Sequence, residues 1–150
     1  LVLNIHCIEG RLAESPILKK TESGTCYTRV LLISKRNFKT KKESDYQSDS
    51  FLCVLYGTIA KSFVEMTCRG SHVSFVARVQ VRPYENQSGE RCYVSEDIVQ
   101  SYNLLETKEV TDRRRKHLLE GQPAEEMALN DYRQAVEHIP TSYDEADWYQ

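Results

Sequence analysis

Three residues near the middle of the chain, Arg78, Arg82 and Tyr84, alternate with apolar neighbours, so an extended backbone sets them on one side. A guanidinium holds a phosphate, and a phenol ring is a flat surface on which a base stacks. Tyr56 and Tyr93 come from flanking segments, and Phe38 lies among Lys35, Arg36 and Lys39. Cations along a groove and aromatic platforms are the two things needed to hold single-stranded nucleic acid without sequence preference. Each stacked base contributes about 1 to 3 kcal/mol, so three or four rings outweigh the small positive charge of the segment carrying them.

Other chemistries are not assembled. His6, His72, His117 and His138 are scattered, no paired acids or phosphate-cradling glycine loop occurs, and no nucleophile has an identifiable base. The sequence therefore reads as non-enzymatic, with no catalytic residue, metal site or cofactor. Five cysteines, Cys7, Cys26, Cys53, Cys68 and Cys92, are an odd number without a CxxC pair, which encodes neither a disulfide framework nor a zinc knuckle. They read as small buried hydrophobes of a reducing cytosol.

The chain has 150 residues, 40% hydrophobic and 28% charged, the balance of an ordinary globular domain large enough to bury its own core. Asn4, His6 and Glu9 interrupt the most apolar stretch, so no run approaches the ~18 residues of a membrane span and no secretory signal is legible. The expected location is cytoplasmic. The formal charge of -2 is unevenly spread: residues 1–110 hold 15 Lys and Arg against 13 Asp and Glu, whereas residues 117–150 hold Arg133 against eight acids. A mildly basic body and an acidic end suggest a body that meets polyanions and a tail that meets something else.

The elements that must position these residues follow from periodicity. Strands are expected over Val2 to Leu12, Cys26 to Ser34 and Phe51 to Tyr56, with a basic exposed loop over 35–50. In the third strand Phe51, Cys53 and Leu55 share one face, and Leu52, Val54 and Tyr56 the other. Thr58 is placed to cap a short helix with Ile59, Phe63 and Met66 on its apolar stripe, and Gly70 to stop it. In the fourth strand, His72 to Arg82, the apolar set Val73, Phe75, Ala77, Val79 and Val81 is assigned to the core. A loop over Glu85 to Glu90 leads to a fifth strand, Arg91 to Val99. Three strands, a helix and two strands is the connectivity of a five-stranded OB-fold barrel, with other small barrels open on pattern alone. A short helix is expected over Asp112 to Glu120, and another at 124–139 carries Leu129, Tyr132, Val136 and Ile139.

Gly10-Arg11-Leu12 followed by Glu14-Ser15-Pro16 resembles the start of bacterial single-stranded DNA-binding proteins. So do Cys53-Val54-Leu55-Tyr56-Gly57, Arg69-Gly70-Ser71 and Arg82-Pro83-Tyr84-Glu85-Asn86-Gln87-Ser88-Gly89, in order across residues 3 to 105. The resemblance implies a mainly β protein: an OB-fold barrel with one short helix between strands 3 and 4, followed by an acidic, partly helical tail. It also implies a homotetramer that wraps single-stranded DNA in replication, recombination and repair. The family's stacking positions fall on Phe38, Tyr56 and Tyr84. A further platform falls on Ser50, a loss that Phe51 or Tyr46 would have to replace, and the family's usual Gly before the fourth-strand Arg is Ala77. Its partner-docking tail ends in Pro-Phe, whereas this chain ends Asp144-Glu145-Ala146-Asp147-Trp148-Tyr149-Gln150, keeping acid and aromatic but not the tip. The helix expected at 124–139, unusual in such a tail, suggests a divergent member from a phage or mobile element, or a tail that packs on its own body.

Two domain-level readings follow. In the first, residues 1–106 bind single-stranded DNA through Lys35, Arg36, Phe38, Lys39, Tyr56, Arg78, Arg82, Tyr84 and Tyr93. Residues 107–150 then form a tail that recruits replication or repair proteins through Asp144, Glu145, Asp147, Trp148 and Tyr149. In the second, the barrel is an oligomerising adaptor, and the tail helix and acidic end dock partner proteins.

Overall fold

The apolar alternation builds eight elements: β1 (His6–Leu12), β2 (Lys19–Lys20), β3 (Cys26–Lys35), β4 (Ser48–Tyr56), α1 (Gly57–Met66), β5 (His72–Glu85), β6 (Arg91–Leu104) and α2 (Lys108–Leu119). The structure, a computed structural model, describes residues 2–39, 41 and 45–120. The expected helix at 124–139 and the tail residues Asp144, Glu145, Asp147, Trp148 and Tyr149 lie outside them.

Hydrogen bonding joins the strands in the order β1-β5-β6-β4-β3. β1 then returns to β3 through Arg11↔Ile33 and Leu12↔Leu32, so five strands close into a ring, and β2 adds to the start of β3. A ring of this connectivity, with α1 between its third and fourth strands, is consistent with an OB-fold. Closure depends on Gly10. A Cβ there would stand 2.4 Å from the Ile33 carbonyl oxygen, closer than any side chain allows, so a residue without one lets β1 cross from β5 to β3.

Inside the ring Ile8, Leu12, Val30, Leu32, Cys53, Leu55, Val73, Phe75, Ala77 and Val99 form one buried cluster. α1 closes its end with Ala60 and Phe63, the Phe63 ring lying 5.5 Å from Phe75 and 5.1 Å from Tyr102. Tyr56 stands at the helix N-cap and makes no side-chain capping bond, so the cap expected of Thr58 is not formed.

β1 is shorter than its apolar pattern because the Asn4 side chain takes the place of main-chain pairing: its amide donates to the Val79 carbonyl and accepts from the Val79 N–H. β5 and β6 run well past the ring as a hairpin arm. Val79 and Val81, assigned to the core by alternation, are exposed there, since the last β1–β5 pair is His6↔Ala77 and no core lies beyond it. At the other end Gln100 is an extra residue in β6 between partners of Val76 and Ala77, a bulge of the kind that bends a strand.

α2 is packed on the body. Thr111 is buried, Arg115 donates to the Thr67 carbonyl at 3.0 Å near the end of α1, and Arg114 grips Glu106 through two hydrogen bonds of 2.7 and 2.9 Å. Arg11 of β1 adds a third bond to Glu106, at 2.6 Å. The Arg114 bonds, seconded by Arg11, outweigh the effect of burial and hold the Glu106 carboxyl at about 2, below its ordinary 4.5.

Two outcomes follow for stability. Gly10→Ala lowers the free energy of unfolding by about 1–3 kcal/mol in urea titrations, because the new methyl meets backbone rather than a movable side chain. The Glu106 contribution is complete above pH 4.5 and is lost as pH falls through about 2, so wild type sheds stability over that window. Glu106→Gln flattens the loss, as acid unfolding followed by circular dichroism will register.

Candidate nucleic-acid interface

Directly paired residues of neighbouring strands point to the same side of a sheet, so the registers trace one face across four strands. Tyr27 pairs with Tyr56, and Arg29 with Val54. Val54 pairs with Ile98 of β6, and Ile98 with Arg78 of β5. Along the arm the same face continues through Gln80–Glu96, Arg82–Val94 and Tyr84–Cys92. Tyr56, Arg78, Arg82 and Tyr84 are thus brought to one outer face, whose floor is the apolar set Leu31, Leu52, Val54 and Ile98. The rings of Tyr27 and Tyr56 sit 6.3 Å apart.

Arg82 is not the exposed cation that alternation implies. Its side chain is only 10% exposed and donates to Glu96 Oε1 at 3.0 Å, and Arg29, 15% exposed, reaches the same oxygen at 3.5 Å. Glu96 itself is 1% exposed. Neither Arg29 nor Glu96 stood out in the sequence, where each looks like any other charged residue on a strand.

Tyr93 belongs to the other face. It pairs with Pro83 and lies on the side of Val79 and Val81, 65% exposed, with the Arg91 guanidinium 5.7 Å from its ring centre. It is therefore removed from the set that holds Tyr84.

The basic loop is narrower than expected, because β3 and β4 extend to Lys35 and Ser48. Arg36 closes its base: the backbone N–H donates to the Gln47 carbonyl, and the guanidinium makes a two-pronged bond to Asp49 at 2.8 and 2.9 Å and a third to Gln47. Asp49 is held below the usual carboxylate range by its hydrogen bonds from Arg36. Phe38 is exposed in the loop, and the Lys39 ammonium stands 4.5 Å over the ring of Tyr46, itself exposed. Lys35 lines a cleft of about 480 Å³ with Arg11, His72 and Glu9, where β1 and β3 diverge. At the lost platform, Ser50 occupies the outer face opposite Ile33, whereas Phe51 turns inward to pack on the core. Of the two substitutes, Tyr46 alone has an exposed ring.

Other titratable groups are tied into the body. His6 bonds the buried Asp97 at 2.7 Å and meets Phe51 edge-on, and His72 bonds Glu9 at 2.7 Å. Burial, with Asp97 nearby, pushes the Cys53 thiol up, so it stays protonated.

Comparison with known proteins gives the family. The Single-strand binding protein family matches residues 3–105. The chain belongs to that family. Its relatives include the single-stranded DNA-binding proteins of Enterococcus faecalis, 33% identical over 113 residues, and of Lactiplantibacillus plantarum, 33% identical over 112. Single-stranded DNA-binding protein 1 of Streptococcus agalactiae is 31% identical over 107 residues. The matches cover 75, 75 and 71% of this chain but 60, 56 and 65% of those proteins, so the alignment spans about three fifths of their length. The family is one of non-enzymatic DNA-binding proteins.

The face assignment separates two tyrosines. With a labelled thymidine oligomer of about eight nucleotides, within the reach of one such fold, Tyr84→Ala weakens binding by the worth of one stack, about 1 to 3 kcal/mol. Tyr93→Ala leaves it unchanged. Fluorescence anisotropy reads both.

Proposed function

We propose that this chain binds single-stranded DNA without strong sequence preference, by stacking bases on aromatic rings and holding phosphates with Lys and Arg. The observation that carries the reading is the continuous register that gathers Tyr56, Arg78, Arg82 and Tyr84 on one face of the β3–β4–β6–β5 sheet. The exposed loop aromatics Phe38 and Tyr46, with Lys39 against the latter, extend the surface on which bases would lie. Lys35 contributes positive charge at its margin, and Arg36, paired with Asp49, holds the base of the loop that carries these rings. The OB-fold barrel, the cytoplasmic location and a role in protecting DNA during replication, recombination or repair belong to the same reading, which family membership supports.

Self-association is part of it. Val79, Val81 and Tyr93 on the far side of the arm, and Leu3 and Ile5 before β1, are exposed. An exposed apolar set of this kind marks a contact surface, and a second copy is the occupant that a tetramer supplies. The acidic residues Asp144, Glu145 and Asp147, with Trp148 and Tyr149, remain the proposed recruiting element for replication or repair proteins. The division into a DNA-binding domain over 1–106 and a tail over 107–150 belongs to the same reading, with α2, the start of that tail, held to the body through Arg114 and Arg115.

The test is titration of a labelled thirty-residue oligothymidylate at several salt concentrations, with duplex DNA as comparator. Single-strand affinity falls with salt by about 0.7 in log–log slope for each phosphate neutralised, and duplex binds more weakly. Equal affinity for duplex, or no binding at low salt, contradicts the proposal. Native mass measurement of the same mixtures gives the number of copies on each oligomer.

A further inference from the structure

Glu96 has the wrong sign for its surroundings. It is an acid, almost fully buried, in the middle of a face built from cations and rings that is read as meeting a polyanion. Its Oε1 accepts from Arg82 on the neighbouring strand at 3.0 Å and from Arg29, which reaches across from β3, at 3.5 Å. One carboxylate is shared by two guanidinium groups, and the group leaves a single net positive charge where the sequence has two. The shared oxygen favours Arg82. Arg29 is the more loosely held and the more exposed of the two.

We propose that Glu96 is a built-in counter-anion that competes with nucleic-acid phosphate for Arg29 and Arg82 and so lowers the affinity of this chain for its strand. Binding exchanges the carboxylate for a phosphate, first at Arg29, whose bond is the longer. This role rests on the single-stranded DNA reading above, and it assigns to Arg29 a contact that the sequence did not suggest.

The test compares wild type with Glu96→Gln, which keeps the shape and an acceptor oxygen, using a labelled oligothymidylate between 0.05 and 0.5 M NaCl. One added phosphate contact steepens the log–log salt slope by about 0.7, which at 0.1 M salt corresponds to about fivefold tighter binding relative to 1 M. Glu96→Gln is expected to show both changes. A folded variant with equal or weaker affinity and an unchanged slope overturns the assignment. A second pair decides the matter if that variant does not fold. Arg29→Met leaves Glu96 wholly on Arg82, and the double variant Arg29→Met with Glu96→Met replaces a buried pair by apolar side chains, an exchange that folds tolerate well. The double variant is expected to bind about fivefold tighter than Arg29→Met alone at 0.1 M salt, and binding no tighter overturns the proposal. Wild type failing to bind any oligomer defeats the functional reading itself, whereas wild type binding with an indifferent Glu96→Gln defeats the counter-anion alone.

Discussion

The ladder that pairs Ala77–Glu85 with Arg91–Val99 runs without a register break, and every property of the candidate surface depends on it. Because side chains alternate strictly along each strand, one unbroken register decides which rings and cations lie together over the length of the arm. Tyr84, Arg82 and Arg78 fall on the side that continues through Ile98 and Val54 to Tyr56. Val79, Val81 and Tyr93 fall on the other. The arm therefore carries Arg78, Arg82 and Tyr84 on the side that continues the outer face of the ring, and its exposed apolar residues on the side that continues the core-facing positions of β5.

Charge is used sparingly. Arg82 and Arg29 share Glu96, Arg36 is engaged by Asp49, and Arg11 and Arg114 are engaged by Glu106. Most of these cations build the body, fixing the loop base, the arm and α2. In the single-stranded DNA reading, phosphate contacts then fall to cations outside these pairs, such as Arg78, with ring stacking adding to the affinity.

Much of this was legible in the residues. Alternation placed Val73, Phe75 and Ala77 inside and Tyr56 opposite Cys53 and Leu55, and the structure agrees. It failed at Val79 and Val81, since β-branched apolar residues read as core wherever they occur, and only the end of β1 at His6 shows that the strand pairing over the core stops short of them. Tyr93 was misplaced by a single residue of loop. A loop over Glu85 to Glu90 would pair Tyr84 with Arg91 and put Tyr93 beside Arg82. The observed loop begins at Asn86, where Asn86 N–H bonds the Glu90 carbonyl, so Glu85 pairs with Arg91 and the parity reverses. The Arg29–Glu96–Arg82 group was invisible, because its members are 67 and 14 residues apart and nothing local links them.

Bases that stack on the tyrosines of one face of the arm and its adjoining strands would impose their ring currents on those rings. Tyrosine ring proton shifts, recorded by nuclear magnetic resonance as oligothymidylate is added, test this stacking most directly. Upfield movement of the Tyr56 and Tyr84 ring signals is expected, with those of Tyr93 still. Movement confined to Tyr93, or none at Tyr56 and Tyr84 when the strand is fully bound, would contradict it.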